Sequence, residues 1–199
     1  MKKIISLIFI TFLFFNLFAQ TYKGNQAQSI IPGTEVISYK QGCEIPYFIK
    51  FQEGNEIDFA SLNLWITSTF ARLYESGFDN KITFTLINTE KDQHGESHYR
   101  YQMLYDGIAI SDGIFLVHVK NSKIVSINGI IINHVSLSNS ISLAETDALQ
   151  LALNSVNAQI YMWQSAGDEK WLKTFKKDAN STYYPKGKLV LLKKGSKYY

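Results

Sequence analysis

The residues with the clearest potential for chemistry are two histidines four positions apart with a glutamate between them, His94, Glu96 and His98. These residue types also occur in helical zinc sites, where the glutamate directly follows the first histidine. Here Glu96 follows by two positions, Gly95 interrupts any helix, and the alternation that comes next indicates a strand. The spacing therefore does not support zinc catalysis, and we assign no metal ligand.

The other reactive residue types also lack the neighbours that catalysis needs. Cys43 is the only cysteine, has no histidine at a recognisable spacing, and is interpreted as a small buried or half-buried thiol rather than a nucleophile. His118 and His134 are isolated, and the acidic residues near turns form no identifiable acid–base pair. Nucleophile elbows, phosphate-binding glycine loops and dinucleotide fingerprints are missing from the sequence. We predict no catalytic activity and no cofactor.

The elements that position these residues are predicted to centre on the segment 95–129. In Glu96–Tyr105 the side chains alternate with the period of a strand. One face is aromatic and apolar, with Tyr99, Tyr101, Met103 and Tyr105. The opposite face is mostly polar, with His98, Arg100, Gln102 and Leu104.

Turn residues divide the rest of this segment into further strands. Asp106–Gly107 and Ser111–Gly113 tolerate positive φ, and Asn121–Ser122 is a two-residue hairpin loop between Ile114–Lys120 and Lys123–Ile132. The sequence therefore predicts an antiparallel β-meander.

A helix is predicted to cover the aromatic face of the meander. Asp58 is a capping residue, Gly77 ends the helix, and apolar residues recur between them at helical spacing: Phe59, Leu62, Trp65, Ile66, Phe70 and Leu73. We expect this face to pack on the meander together with Ile82, Phe84 and Leu86 of the preceding strand. One helix on an antiparallel sheet makes the fold class α+β.

A second, smaller unit is predicted after a polar linker. Ser142–Glu145 has the pattern of a capping box, and the helix that follows has one apolar face and ends near Asn157. That face consists of Ala144, Ala148, Leu151, Ala152, Ser155 and Val156. Short strands are predicted at Ile160–Gln164 and Lys188–Leu192, separated by the charged segment 170–185, with no element after Leu192. We interpret the unit as incomplete, because so few elements bury little apolar surface.

The N-terminus has the pattern of a cleaved secretory signal. Lys2 and Lys3 precede an apolar run over residues 4–17, and Ala19 is a small residue suited to signal peptidase. The alternative is a membrane anchor, but the run is shorter than the ~20 residues that a spanning helix requires. Cleavage would lower the formal charge from +3 to +1. We therefore predict a secreted protein that binds neither nucleic acid nor, after cleavage, a membrane.

Four segments of the meander, together with Gly113, carry a family pattern. They are His98–Gln102 (HYRYQ), Tyr105–Ile108 (YDGI), Val117–Val119 (VHV) and Ser126–Gly129 (SING). In this order they resemble the fungalysin/thermolysin propeptide (FTP) domain. Two positions depart from the family pattern, since Met103 replaces a second glutamine and Ala109 replaces a proline.

The segment after the linker is similar to the start of the PepSY unit that follows FTP in precursors of thermolysin-like zinc metallopeptidases. The resemblance implies five regions: a signal peptide at 1–19, an N-terminal segment at 20–46, an FTP-like domain at 47–132, a linker at 133–141 and a partial PepSY-like unit at 142–199.

The family resemblance implies a prodomain that assists the folding of a cognate zinc metallopeptidase and inhibits it, in cis or in trans. The chain contains no zinc helix of its own, so we expect either a truncated precursor or a prodomain severed from its enzyme. The alternative is a free-standing secreted binding or peptidase-inhibitor module without catalytic activity.

The polar face of the first meander strand supplies the candidates for contact with that partner, His98, Arg100 and Gln102. An alternative role for Arg100 is an ion pair with Glu96 that holds the sheet together. A separate set is expected to maintain the architecture: Gly95, Tyr99, Tyr101, Tyr105, Gly107, Gly113 and Gly129.

Overall fold

The computed structural model describes residues 19–41, 43–75, 77–137 and 143–199. The predicted signal sequence at 1–18 lies outside these residues and stays a prediction. The described chain divides into two compact units. Unit 1 comprises the chain up to Met103 together with Gly113–His134, and unit 2 comprises Leu104–Asp112 and Val135–Tyr199. Each unit combines helices with strands, which confirms the α+β class.

The described residues form the following elements. The first eight strands are β1 (Thr21–Lys23), β2 (Thr34–Tyr39), β3 (Pro46–Phe51), β4 (Ile57–Asp58), β5 (Ile82–Lys91), β6 (Ser97–Tyr105), β7 (Ile108–Lys120) and β8 (Lys123–Gly129). The α-helices are α1 (Asn25–Ile30), α2 (Leu62–Leu73), α3 (Glu145–Val156) and α4 (Ala166–Lys176). Three short strands end the chain, β9 (Val190–Leu191), β10 (Lys193–Lys194) and β11 (Lys197–Tyr198).

The sheet of unit 1 places strands side by side that are far apart in sequence. Its order is β1-β2-β3-β8-β7-β6-β5, and β4 also pairs with β8. A row of directly opposed residues on four antiparallel strands, each at most 1% exposed, forms the centre of the core: Ile37, Ile49, Ile127 and Val117. Because side chains alternate along a strand, this register assigns one whole face of the sheet to the interior.

Helix α2 covers that inner face, as the sequence predicted. Ile66 and Phe70 are fully buried, and the ring of Trp65 meets that of Phe51 edge-on at 5.1 Å. Asp58 is the N-cap residue of the 3-10 turn Phe59–Ser61 that leads into α2, but its side chain makes no capping hydrogen bond. Asp58 is also the last residue of β4, where it lies opposite Lys123. Its carboxylate forms an ion pair with the ammonium group of Lys123 at 2.7 Å.

The end of α2 and the outer strand also differ from the prediction. The helix ends at Leu73, four residues before Gly77. Ile82 is buried, but Leu86 is 48% exposed and does not join the core. The reason is that Leu86 lies on β5, the last strand of the sheet, which has a neighbouring strand on one side only.

Two of the three predicted turns in the meander are present. Asp106–Gly107 and Asn121–Ser122 each have two consecutive residues of positive φ, as short hairpin loops require. The turn predicted at Ser111–Gly113 is wrong, because β7 continues through these residues. Gly113 is buried, has no positive φ, and fits the alternation of buried residues along β7.

The segment before β3 contains a regular strand and a short helix. Strand β2 pairs with both β1 and β3. Helix α1 lies between β1 and β2 and buries Ala27. Cys43, expected to be buried or half-buried, is an exposed free thiol. The Cys43 amide donates to the carbonyl of Lys40 at 3.1 Å.

Unit 2 contains the predicted helix α3, but its orientation is not the expected one. Among the residues of α3 none is fully buried, and Leu151 and Val156 of the predicted inner face are 60% and 68% exposed. The predicted capping box includes Ser142, which is outside the described residues. The carboxylate of Glu145 accepts a hydrogen bond from the amide of Gly187 at 2.7 Å.

The predictions after α3 were largely wrong. Residues 160–164 form no strand, and their hydrogen bonds are made to nearby residues. The Tyr161 hydroxyl donates to the Leu153 carbonyl at 2.7 Å, and the side chain of Gln164 accepts from the Tyr161 amide. Helix α4 follows them, is capped by the Ser165 hydroxyl, and extends into the charged segment 170–185. Acidic residues in its first turn and lysines in its last turn complement the helix dipole.

The C-terminal residues form a hairpin instead of ending without structure. β10 and β11 pair across a turn that contains Gly195, and Tyr198 is only 3% exposed. Of the strand predicted at 188–192, two residues form β9, which pairs in parallel with Ala109 and Ile110 of β7. Leu172, Leu191 and Tyr198 contribute the buried side chains of this part of unit 2.

In the part of the chain that the structure describes, the helices fall short of the length and apolar character that crossing a membrane would take.

Candidate partner-binding face

The sheet of unit 1 has a second face, opposite the core. We call it the open face. Along each strand its residues alternate with the buried residues of the core, and its side chains are half-buried or exposed. Its residues on β3, β8 and β7 are opposed in two rows, Phe48–Asn128–Leu116 and Lys50–Ser126–His118. His98 of β6 joins this face through a bond to His118.

A chain of hydrogen bonds crosses the open face. His98 Nδ1 and His118 Nδ1 are 2.7 Å apart, and His118 Nε2 is 2.5 Å from Asn128 Oδ1. The amide oxygen of Asn128 only accepts, so His118 Nε2 carries a proton and donates it. Between the two Nδ1 atoms, one ring donates and the other accepts. The histidine that the sequence left isolated is thereby the centre of a network over three strands.

Asp92 holds the other end of this network. Its Oδ2 atom faces His98 Nε2 at 3.4 Å, and its Oδ1 atom accepts from the amides of Glu96 and His94 at 2.9 and 2.8 Å. These contacts lower the pKa of Asp92, with the Glu96 amide as the largest cause and the His94 amide and His98 as further causes. A carboxylate that closes the turn also orients the first histidine of the network.

The other two contact candidates on β6 differ from each other. The side-chain amide of Gln102 donates to the carbonyl of Gly113 at 3.1 Å, which ties β6 to β7. Arg100 is exposed, and its guanidinium makes no ion pair with an acidic residue of the described chain. The proposed pairing with Glu96 is therefore not formed. Of the three candidates, Arg100 has a charged group that is available to a partner.

The aromatic residues of the expected architectural set lie on the inner face. Tyr99 packs on Phe59 with ring centroids 4.3 Å apart, and Tyr101 stacks on Phe115 at 5.2 Å. Burial raises the pKa of Tyr101, with neighbouring Tyr99 as a further cause. Tyr105 is 8% exposed.

The glycines of that set occupy three kinds of position. Gly95 and Gly107 have positive φ in the turns that flank β6, and Gly113 lies within β7. Gly129 has φ +120°, and a Cβ atom there would lie 2.5 Å from the Ile114 carbonyl oxygen. A side chain at residue 129 would therefore collide with the backbone of β7.

The described residues hold no group of three histidine, cysteine or acidic side chains placed to bind a metal ion. Gly95, with a φ of +83°, lies in the turn between the two histidines of the sequence pattern. His94 therefore belongs to the turn and His98 to strand β6. The ring nitrogens of His98 already face His118 and Asp92. The geometry supports a hydrogen-bonded surface.

Comparison with protein families identifies a match within the sheet of unit 1. Residues 82–130 match the family described as Fungalysin/Thermolysin Propeptide Motif. The match begins at the first residue of β5 and ends one residue after β8, so it covers four adjacent strands of the sheet. It confirms the FTP resemblance over this segment and indicates the propeptide of a peptidase of that type. The PepSY-like part of the chain stays a prediction.

Compared with curated proteins, the chain has no significant match.

Proposed function

We propose that this chain, which carries an FTP motif at residues 82–130, acts as the prodomain of a secreted thermolysin-like zinc metallopeptidase. In this role it assists the folding of the peptidase domain and inhibits it, in cis or in trans. The observation that carries the proposal is the match itself, which coincides with the strands β5 to β8 and their polar open face.

The character of the open face supports a binding role. Its network of Asp92, His98, His118 and Asn128 fixes polar side chains in place before a partner arrives, which lowers the entropy lost on binding. Arg100 adds a positive charge that no acidic side chain of the described residues neutralises. We therefore expect the peptidase to present an acidic or carbonyl-rich surface to this face.

The proposed function is tested with the mature chain, beginning at Gln20, and thermolysin. We expect slow-dissociating inhibition, and a higher yield of active thermolysin when the denatured enzyme refolds with the chain present. Absence of both effects would overturn the proposal. Prolonged incubation should end the inhibition as the peptidase degrades the chain, which distinguishes a prodomain from a stable inhibitor.

Arg100→Ala tests the open face, with Arg72→Ala as the control. These are the two arginines of the sequence, and Arg72 is an exposed residue near the end of α2. We expect Arg100→Ala to raise the inhibition constant about tenfold or more, because an interfacial charge loses its partner. Both variants should keep the free energy of unfolding within about 0.5 kcal/mol of the parent, as exposed positions usually do.

A large loss of stability in Arg100→Ala would show that the arginine supports the sheet, and an unchanged inhibition constant would remove it from the interface. Urea unfolding and the inhibition assay measure these two quantities independently.

The second candidate function is a free-standing secreted binding module. The observation that favours it is the C-terminal hairpin β10–β11, whose Tyr198 is buried in unit 2. A module that acts without an attached enzyme needs a second unit that folds by itself, and the buried tyrosine of this hairpin contributes to such a unit.

A further inference from the structure

The two ends of the sheet in unit 1 differ in how well they are protected. At one end lies β1, with three residues. At the other lies β5, with ten residues, whose outer side pairs with no strand of the described chain. A strand of this length presents unpaired backbone donors and acceptors over about 33 Å. Such an edge is a template for another extended chain.

The sequence of β5 lacks the usual features that block an edge. ITFTLINTEK contains no proline, and its two charged residues, Glu90 and Lys91, are confined to its end. In its middle, Leu86 and Ile87 are 48% and 50% exposed. As neighbours on a strand they point to opposite faces of the sheet, so apolar surface flanks the free edge on both sides.

A groove lies beside the beginning of this edge. It has a volume of about 720 Å³ and runs between α2 and the first residues of β5. Asn63, Thr67 and Ser68 line it from the helix, Ile82 and Phe84 line it from β5, and Phe78 lines it from the loop before β5. The only charged residue among its described lining is Asp79, whose carboxylate is engaged by the Lys81 amide at 3.0 Å. The groove therefore suits small apolar or neutral polar side chains.

The FTP match connects this edge with the peptidase. The matched strands are β5 to β8, and β3 of the same chain pairs with β8, so the motif is closed on that side and open at β5. We propose that the peptidase domain binds by adding an extended, uncharged segment to the free edge of β5. The segment forms backbone hydrogen bonds along the strand, and alternate side chains enter the groove beside α2. This inference rests on the proposed prodomain function and adds a second contact, at the β5 edge, to the one proposed for the open face.

The experiment combines hydrogen exchange with a matched pair of substitutions. Thermolysin is added to the mature chain, complex formation is measured by inhibition, and backbone exchange in β5 is followed by mass spectrometry. We expect the amides of residues 83–91 to exchange at least about tenfold more slowly in the complex, because a new strand protects them.

Ile87→Lys places a charge in the middle of the edge, and Leu64→Lys is its control on α2, where Leu64 is 72% exposed and does not line the groove. Ile87→Lys should weaken inhibition about tenfold or more, whereas Leu64→Lys should change it less than about twofold.

The outcomes separate the two levels of the proposal. If the chain inhibits thermolysin without protection of the β5 amides, or if the two lysine substitutions have equal effects, binding at the β5 edge is overturned. The proposed prodomain function would then still stand. Absence of any complex would overturn both. A concentration-dependent dimer that Ile87→Lys abolishes, with β5 protected before thermolysin is added, would show that a second copy occupies the edge and would overturn the peptidase as its partner.

Discussion

Gly129 shows most clearly why a single residue type is required at one position of this fold. The sequence marks it as the last residue of the SING segment, but the reason is tertiary. Gly129 lies opposite Phe115 in the β7–β8 ladder, and a Cβ atom would lie 2.6 Å from the Phe115 Cα atom. Its φ of +120° adds backbone strain to this collision for any other residue.

We predict that Gly129→Ala lowers the free energy of unfolding by about 3 kcal/mol or more, since it combines a backbone collision with strain. Gly54→Ala is the control. Gly54 has φ +85° but no atom within 4 Å of a Cβ position, so its substitution should cost only about 1 kcal/mol of backbone strain. Urea unfolding measures both values. Equal losses would mean that the close approach of β7 does not matter.

The three contact candidates also differ at the level of single residues. His98 and Gln102 use their polar atoms within the sheet, through His118 and the Gly113 carbonyl. The guanidinium group of Arg100 forms no ion pair with an acidic residue of the described chain. Alternation of polar residues identified the face, but it could not distinguish residues that bind a partner from residues that tie strands together.

Among the elements, α3 and α4 were predicted with the least success. The apolar positions of α3 are mostly exposed, so its hydrophobic pattern did not identify its buried side. Helix α4 was missed because its sequence is rich in charge, and one apolar residue, Leu172, is the buried residue of this helix. A single anchoring side chain leaves little hydrophobic periodicity to detect.

Leu172→Ala tests that anchor, and Leu151→Ala is its control on α3. Leu172 is 8% exposed and Leu151 is 60% exposed. We expect Leu172→Ala to reduce the stability of unit 2 by about 2 kcal/mol or more through loss of buried surface and a residual cavity. Leu151→Ala should cost less than about 0.5 kcal/mol. Urea unfolding followed by tryptophan fluorescence compares them, and a larger effect at Leu151 would contradict the described packing of α3.

At the scale of the whole molecule, burial is unevenly divided between the two units. Unit 1 contains the fully buried row from Ile37 to Val117 across four strands. Unit 2 leaves many large apolar side chains exposed, including those of Trp171 and Phe175, which stack on each other at 5.0 Å. Local stability follows buried apolar contact, so unit 1 is expected to be the more stable unit.

We predict that hydrogen exchange of the isolated chain is at least about a hundredfold slower in β3 and β8 than in α3, since α3 lacks fully buried residues. Mass spectrometry of exchanged peptides measures both regions in one sample. Fast exchange in α3 agrees with a prodomain fragment whose second unit is weak by itself. Equally slow exchange and a cooperative melt of residues 142–199 would favour the free-standing module.

The sequence by itself determined the local features of this protein. Alternation and paired turn residues defined β6, the hairpin loops at Asp106–Gly107 and Asn121–Ser122, and the covering helix α2. The family pattern identified the FTP segment. These signals are local because side-chain periodicity and positive φ depend on neighbouring residues.

Only the tertiary structure decided what those elements meet. The pairing of β3 with β8 and the contact of His98 with His118 join residues that are distant in the chain. The free edge at β5 likewise follows from the order of all strands in the sheet. Strand register and sheet order depend on which long-range pairings bury the most apolar surface, and no single segment encodes that choice. The open face and its neighbouring edge, where we place the partner, were therefore visible only once the chain was folded.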